Sequence, residues 1–245
     1  MMSIKNFGVD LSAWNDIHDY DDFLKSTYDG HPIKYAFLRL GYRGKRDVLF
    51  DKHYNALHGR VYIGVYVYSY ARTPADARAE AEWTIENLRG YDINFPVVFD
   101  YEDVTALHPK MTAGKYAETI GAFMDTINAA GYYAMLYCNP NFIENYADKT
   151  ALLKYPLWLA HYVPDGKQRQ YGQFVWQFGT FKPAGTNGAV DGNFAYKQLG
   201  KIIRENGYNK PVKRYTLTAR NLTEKQRAEL TDVLERFGIG NYTFA

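Results

Sequence analysis

Phe95-Pro96-Val97-Val98-Phe99-Asp100-Tyr101-Glu102-Asp103 is an apolar run closed by three acids in four positions. It reads as a buried strand whose far end emerges into polar surroundings. Side chains alternate along a strand, so Asp100 and Glu102 share one face and Tyr101 takes the other. Two residues of about 3.3 Å rise set the two acids roughly 6.6 Å apart, a working distance for paired carboxylates. By itself the pattern more often marks a solvated strand end or a calcium-binding turn, so its meaning depends on the flanking chain.

Upstream, Asn6 to Ser12 is a short strand ending in an acid, Asp10, followed by a short helix near Asp21 to Ser26. Lys34 to Leu40 and Val61 to Tyr70 are further strands, rich in aromatic and β-branched residues, with a helix from about Asp47 to Leu57 between them. Thr73, Pro74 and Gly90 punctuate a helix with Ala77, Ala81, Ile85 and Leu88 on one face. Downstream, Thr112 caps the clearest helix, whose stripe is Tyr116, Ile120, Phe123, Met124 and Ile127 and which ends at Gly131. Tyr132 to Tyr137, Leu157 to Ala160, Phe174 to Phe178 and a short Ala189 to Asp191 complete about eight strands.

Helices separate the early strands, and the later ones are closely spaced, which predicts an irregular TIM-like (β/α) barrel. In such barrels reactive groups lie at the C-terminal ends of strands, where the reading places Asp10, Asp100, Glu102 and Asp191. They converge on one mouth if the last strand closes beside the first. A doubly wound open sheet is the competing architecture, but no G-x-G-x-x-G or P-loop turn follows any strand.

Convergent carboxylates either hold a hard cation or carry out acid/base chemistry on a glycosidic bond. In the second case one acid must keep its proton near neutral pH, and crowding by like charges raises its pKa. Glu102 is placed to protonate a leaving-group oxygen, while Asp100 stays ionised beside developing positive charge. The six histidines lack metal-ligand spacing, with no H-E-x-x-H, and Ser69 lacks the G-x-S-x-G elbow. No metal or cofactor is expected.

A net charge of +2 without a basic block gives no sign of a nucleic-acid partner. The 23 tyrosines suit carbohydrate or protein surfaces, which composition does not distinguish. The single cysteine, Cys138, excludes an internal disulfide and reads as a buried, inert thiol. Met1 to Val9 has no apolar h-region and no membrane-length apolar run occurs, so cytoplasmic synthesis without an export signal or membrane insertion is expected.

From Gly8 to about Tyr196 the chain resembles the family-twenty-five glycoside hydrolases, Chalaropsis-type muramidases common among phage endolysins. The motifs are G-x-D-x-S at Gly8 to Ser12, D-x-E at Asp100 to Glu102, W-x-A-x-Y at Trp158 to Tyr162, Trp176-Gln177, and V-D-x-N at Val190 to Asn193. The resemblance implies cleavage of the β-1,4 bond between N-acetylmuramic acid and N-acetylglucosamine of bacterial peptidoglycan, after release to the wall. It implies Glu102 as general acid, Asp100 as its partner carboxylate, and Asp10 and Asp191 as acids that polarise the site. A retaining, substrate-assisted route would have Asp100 orient the 2-acetamido group. Arg39 and Tyr137 stand where the family has substrate-contacting residues, and Tyr68, Tyr70 and Tyr162 are further candidates for the cleft wall. Val67 departs from the family's G-x-Y-H histidine. A wall-binding protein on an inactive barrel and a chitinase-like glycosidase are the alternatives.

The domain reading is a catalytic barrel over 1–206, a linker over 207–214 and a small β-α-β segment over 215–245. The segment has strands at Tyr215 to Ala219 and Asn241 to Phe244. Between them lies a helix opened by a Thr223/Gln226 capping box, with Leu230, Val233, Leu234 and Phe237 inside. Too small to bury both faces, it is expected to dock on the barrel, pair with another copy, or belong to a longer wall-binding domain.

Overall fold

The computed structural model describes residues 5–102, 111–168, 170–210 and 221–236. Two compact units divide the chain, Met1–Pro211 and Val212–Ala245. The strands of the first are β1 (Asn6–Leu11), β2 (Thr27–Tyr28), β3 (His31–Pro32), β4 (Tyr35–Tyr42), β5 (Lys45–Arg46), β6 (Tyr62–Tyr68), β7 (Val97–Asp100), β8 (Ala134–Cys138), β9 (Leu157–Ala160), β10 (Val175–Phe181) and β11 (Val190–Ala195). Its helices are α1 (Tyr20–Lys25), α2 (Phe50–Leu57), α3 (Pro74–Asn87), α4 (Ala113–Ala129), α5 (Pro140–Asn145), α6 (Lys149–Leu152) and α7 (Leu199–Glu205).

Eight strands close into a barrel because β1 pairs in parallel with β4 on one side and antiparallel with β11 on the other. From β4 through β6, β7, β8 and β9 to β10 every pairing is parallel, and then β11 reverses. β5 adds only a short antiparallel ribbon to β4, and β2 pairs with β3 outside the barrel. The reversal corrects one sequence expectation. Asp191 is the second residue of β11, not its C-terminal end, and it reaches the mouth because an antiparallel strand begins where its neighbours finish.

Strands covered on both faces read as continuous apolar runs, which is why β7 and β8 were visible in the sequence. Their side chains divide into two buried layers. Tyr35, Phe37, Tyr66, Val98, Met135 and Trp158 fill the lumen, whereas Val65, Val67, Phe99 and Leu136 pack in the layer that holds the helix faces. Along β7, Val98 turns inward and Phe99 outward, stacked 4.1 Å from Phe123 of α4. Thr112 accepts from the Lys115 N–H to cap α4, and the five predicted stripe residues are all buried. On α3 the capping box pairs Thr73 with Asp76. Here Thr84, not Ile85, is the buried neighbour of Ala77 and Ala81, its hydroxyl satisfied by the Glu80 carbonyl.

Asn209, read as linker from its polar surroundings, is buried against the barrel unit. Its backbone N–H donates to the Gly131 carbonyl, its Oδ1 accepts from Tyr133 N–H, and its Nδ2 donates to the Phe95 carbonyl, each at 2.8 Å. It therefore clips together the N-terminal approaches to β7 and β8. Within the second unit, α8 (Glu224–Arg236) opens with the Thr223/Gln226 box, each residue's side chain bonding the other's main-chain N–H. Leu230 and Leu234 are half-buried, but Val233 is exposed, contrary to expectation. The strands expected at 215–219 and 241–244, Phe237 and Asp103 lie outside the described residues. Among the described residues no helix is long and apolar enough to cross a membrane.

Candidate active site

All four acids named from the sequence sit at one end of the barrel. Asp10 is the penultimate residue of β1 and faces Asp191 across the β1–β11 pair. Asp100 ends β7, in register with Tyr68 of β6 and Tyr137 of β8, and Glu102 follows two residues on. Asp10 and Asp100 are buried at 8% and 6% exposure, while Glu102 and Asp191 are half-buried. Tyr101 turns the other way, as alternation requires. It stacks on Phe99, and its hydroxyl donates to the Ala71 carbonyl at 3.0 Å.

Asp10 is held by a chain of amides. Its Oδ2 accepts from Gln177 Nε2 at 2.9 Å and from Asn193 Nδ2 at 2.8 Å. Trp158 Nε1 can only donate, and it donates to Asn193 Oδ1 at 2.8 Å, so that amide's NH₂ must face Asp10. Gln177 Oε1 accepts the hydroxyls of Tyr137 and Tyr162 at 2.8 and 2.7 Å, which orients the second amide in the same way. Burial, reinforced by the negative charge of Asp191, pushes the Asp10 carboxyl up to about 7, against the opposing pull of the two amide donors. Burial also raises Asp191. Both donors occupy Oδ2, so a proton on Asp10 belongs on Oδ1.

The rim is fixed by two further acids. Arg39 donates from Nε to Asp47 Oδ2 at 2.7 Å, and the fully buried Asp47 also accepts from the backbone N–H groups of Ala13 and Leu49. Arg39 is thus half of an ion pair that ties down the turn after β1. Glu80 of α3 accepts from Ser69 Oγ at 2.6 Å and from Tyr70 N–H at 3.1 Å, and Ser69 N–H donates to the Asp100 carbonyl. Burial raises the Glu80 carboxyl above its usual range. The Tyr68 and Tyr70 rings lie 5.3 Å apart, with the Arg43 guanidinium 3.8 Å from the Tyr70 centroid. Trp14, just past β1, is 86% exposed, and Tyr162, just past β9, is 63% exposed.

A family model described as "Glycosyl hydrolases family 25" matches residues 9–184. The chain belongs to glycosyl hydrolase family 25. No sequence among curated proteins matches it. Among solved structures it is similar to the modular autolysin LytC of Streptococcus pneumoniae, at 24% identity and TM-score 0.68, covering 78% of this chain and 46% of that one. LytC has also been solved with a synthetic peptidoglycan ligand. The bacterial lysozyme of Streptomyces coelicolor is 19% identical with TM-score 0.67, covering 82% and 96%. The CTP1L endolysin is 22% identical with TM-score 0.64, covering 82% and 70%. This chain therefore spans less than half the length of LytC.

The family 25 barrel places the predicted residues in three groups. Asp10 and Asp191 pair across one seam, Asp100 and Glu102 lie at and just past the end of β7, and Tyr137 and Tyr162 meet at Gln177. Arg39, Tyr68 and Tyr70 stand on the β4–β6 side, away from Gln177. Sequence reasoning gave no role to Gln177 or Asn193, although alternation carried the signal: Asn193 is two residues beyond Asp191, and Val175 and Gln177 share one parity. Nothing in the sequence marked Asp47, Glu80 or Trp14. Cys138 is buried, and burial pushes its thiol well up, so it is no nucleophile at neutral pH. Among the described residues no three His, Cys, Asp or Glu side chains group to hold a metal ion.

Proposed function

We propose that the protein is a peptidoglycan muramidase, cleaving the β-1,4 bond between N-acetylmuramic acid and N-acetylglucosamine of the bacterial wall. The observation that carries this reading is the convergence of Asp10, Asp100, Glu102 and Asp191 on one mouth of a family 25 barrel. Glu102 acts as general acid, delivering its proton to the glycosidic oxygen. Asp100, buried beside it at the end of β7, orients the 2-acetamido group as that group attacks the anomeric carbon. Positive charge then develops on the sugar ring and is stabilised by the neighbouring carboxylates. Asp10, with its ionised form disfavoured by burial and by Asp191, holds a proton on Oδ1 and offers it to a sugar oxygen as a hydrogen bond. Tyr137, whose phenol burial and the nearby Glu102 and Asp100 hold well above its usual range, stays a neutral donor.

Likeness to the CTP1L endolysin supports the finer reading of a phage or prophage endolysin. We assign Val212–Ala245 a wall-targeting role, so a chain ending at Pro211 should bind sedimented walls more weakly. Digestion of purified peptidoglycan with identification of the new termini tests the activity itself. Reducing muramic acid ends are expected. Reducing glucosamine ends would instead make it a glucosaminidase or chitinase-like enzyme, and no new ends would make it a binding protein on the same barrel.

A further inference from the structure

We propose that the opposite pole of the barrel holds a second binding site, for a phosphorylated polyol or sugar. A cavity of about 290 Å³ opens there, between the N-terminal ends of β1, β4 and β6 and the start of α7. Lys34, Lys197, Lys201 and Arg204 line it, and among the described residues no acid does. Among the described residues Lys34 and Arg204 have no ion-pair partner, and Lys201 only reaches Glu205 at 3.8 Å, one turn along its own helix. Lys201 and Arg204 are like charges three residues apart on α7, a spacing that sets them on one face of the helix. Four cations, one a guanidinium fork, suit a phosphate better than a single carboxylate.

The inner wall of the cavity is aromatic. Tyr35 and Phe95 are buried and stacked with centroids 4.6 Å apart, while Tyr62 keeps 40% of its surface exposed. Gly200 makes that arrangement possible, since a Cβ there would come within 2.5 Å of the Tyr62 ring. Among the described residues the buried Tyr35 hydroxyl has no hydrogen-bond partner. Asn6 and Gln198 add amides to the lining. An open aromatic face suits the C–H side of a polyol or sugar, amides suit its hydroxyls, and the cationic rim takes the phosphate. Phe37, Tyr66 and Trp158 fill the lumen between this pole and the acids, so both sites can be occupied together.

Titrating the full chain with glycerol 3-phosphate, inorganic phosphate and glycerol, followed by calorimetry or NMR shifts, tests the site independently of the muramidase reading. Saturable binding of glycerol 3-phosphate is expected, at least threefold tighter than inorganic phosphate, with none for glycerol. Lys34→Ala with Arg204→Ala should weaken it at least tenfold while turnover of phosphate-free peptidoglycan is unchanged. Tyr62→Ser should remove the preference over inorganic phosphate. A glycerol phosphodiester oligomer binding tighter than the monomer would identify a polymer as the source, and equal binding a free metabolite. No saturable binding, equal affinity for inorganic phosphate, or binding unaltered by the double substitution would overturn the proposal.

Discussion

Asp10 and Asp191 are register partners on β1 and β11, strands that run in opposite directions. That pairing holds two carboxylates side by side at the mouth, and burial, reinforced by Asp191, makes Asp10 a group whose ionisation the fold resists. An acid raised from 3.8 to about 7 binds its proton more tightly folded than unfolded. The folded chain thus carries the extra proton between those values, and its stability falls as pH rises through that window. The contribution is at most about 4 kcal/mol, at 1.36 kcal/mol per pH unit. Urea unfolding at pH 4.5 and pH 7.5 should show wild type losing more stability than Asp10→Asn. Equal losses would remove this assignment.

Gln177 joins that seam to the tyrosines. Gln177→Leu removes one of the two donors to Asp10 and the acceptor of Tyr137 and Tyr162, leaving the buried Tyr137 hydroxyl without this partner. The expected cost is about 2–4 kcal/mol, read as a lower urea midpoint with unchanged slope. Loss of a donor that favours ionised Asp10 should also move the pH dependence of turnover upward. Tyr162→Phe, on a largely exposed side chain, should cost under about 1 kcal/mol.

Glu102→Gln keeps the shape of a half-buried side chain and removes its proton. Turnover on peptidoglycan should fall by roughly 10²–10⁴-fold, the usual weight of a general acid. The melting temperature should stay within about 2 °C of wild type. Full activity in this variant would move the general-acid role elsewhere.

The barrel and the acid positions were legible because each rests on a local period. The run of β7 and the stripe of α4 state their burial in the order of their residues, and D-x-E states its shared face. Direction was not legible at β11, where Val190-Asp191 looks like a strand end and is a strand beginning. A short strand carries no mark of its polarity, and its pairing is set by the turn from β10 and the closure onto β1. The amide clamp was half-legible through parity. Glu80 and Asp47 were not, because the side-chain and main-chain donors that each gathers come together only in the folded chain. Asn209 was misread for the same reason: its polar side chain is satisfied by the main chain at Phe95 and Tyr133.

Gly8, the first residue of the G-x-D-x-S motif, makes a last prediction on packing instead of chemistry. It pairs with Tyr35 in the β1–β4 register, and a Cβ on it would lie 2.5 Å from three atoms of the Tyr35 ring. Any retreat of Tyr35 breaks packing, because its ring is stacked on Phe95 and edge-on to Phe37. Gly8→Ala must therefore displace a buried ring or shift β1, and β1 carries Asp10 two residues further on. Overpacking of this kind costs about 1–3 kcal/mol. The double substitution Gly8→Ala with Tyr35→Leu should recover part of that loss, since the smaller side chain vacates the space. A single Gly8→Ala variant with wild-type urea midpoint would show that the ring can yield, and that the motif's glycine serves something other than this contact.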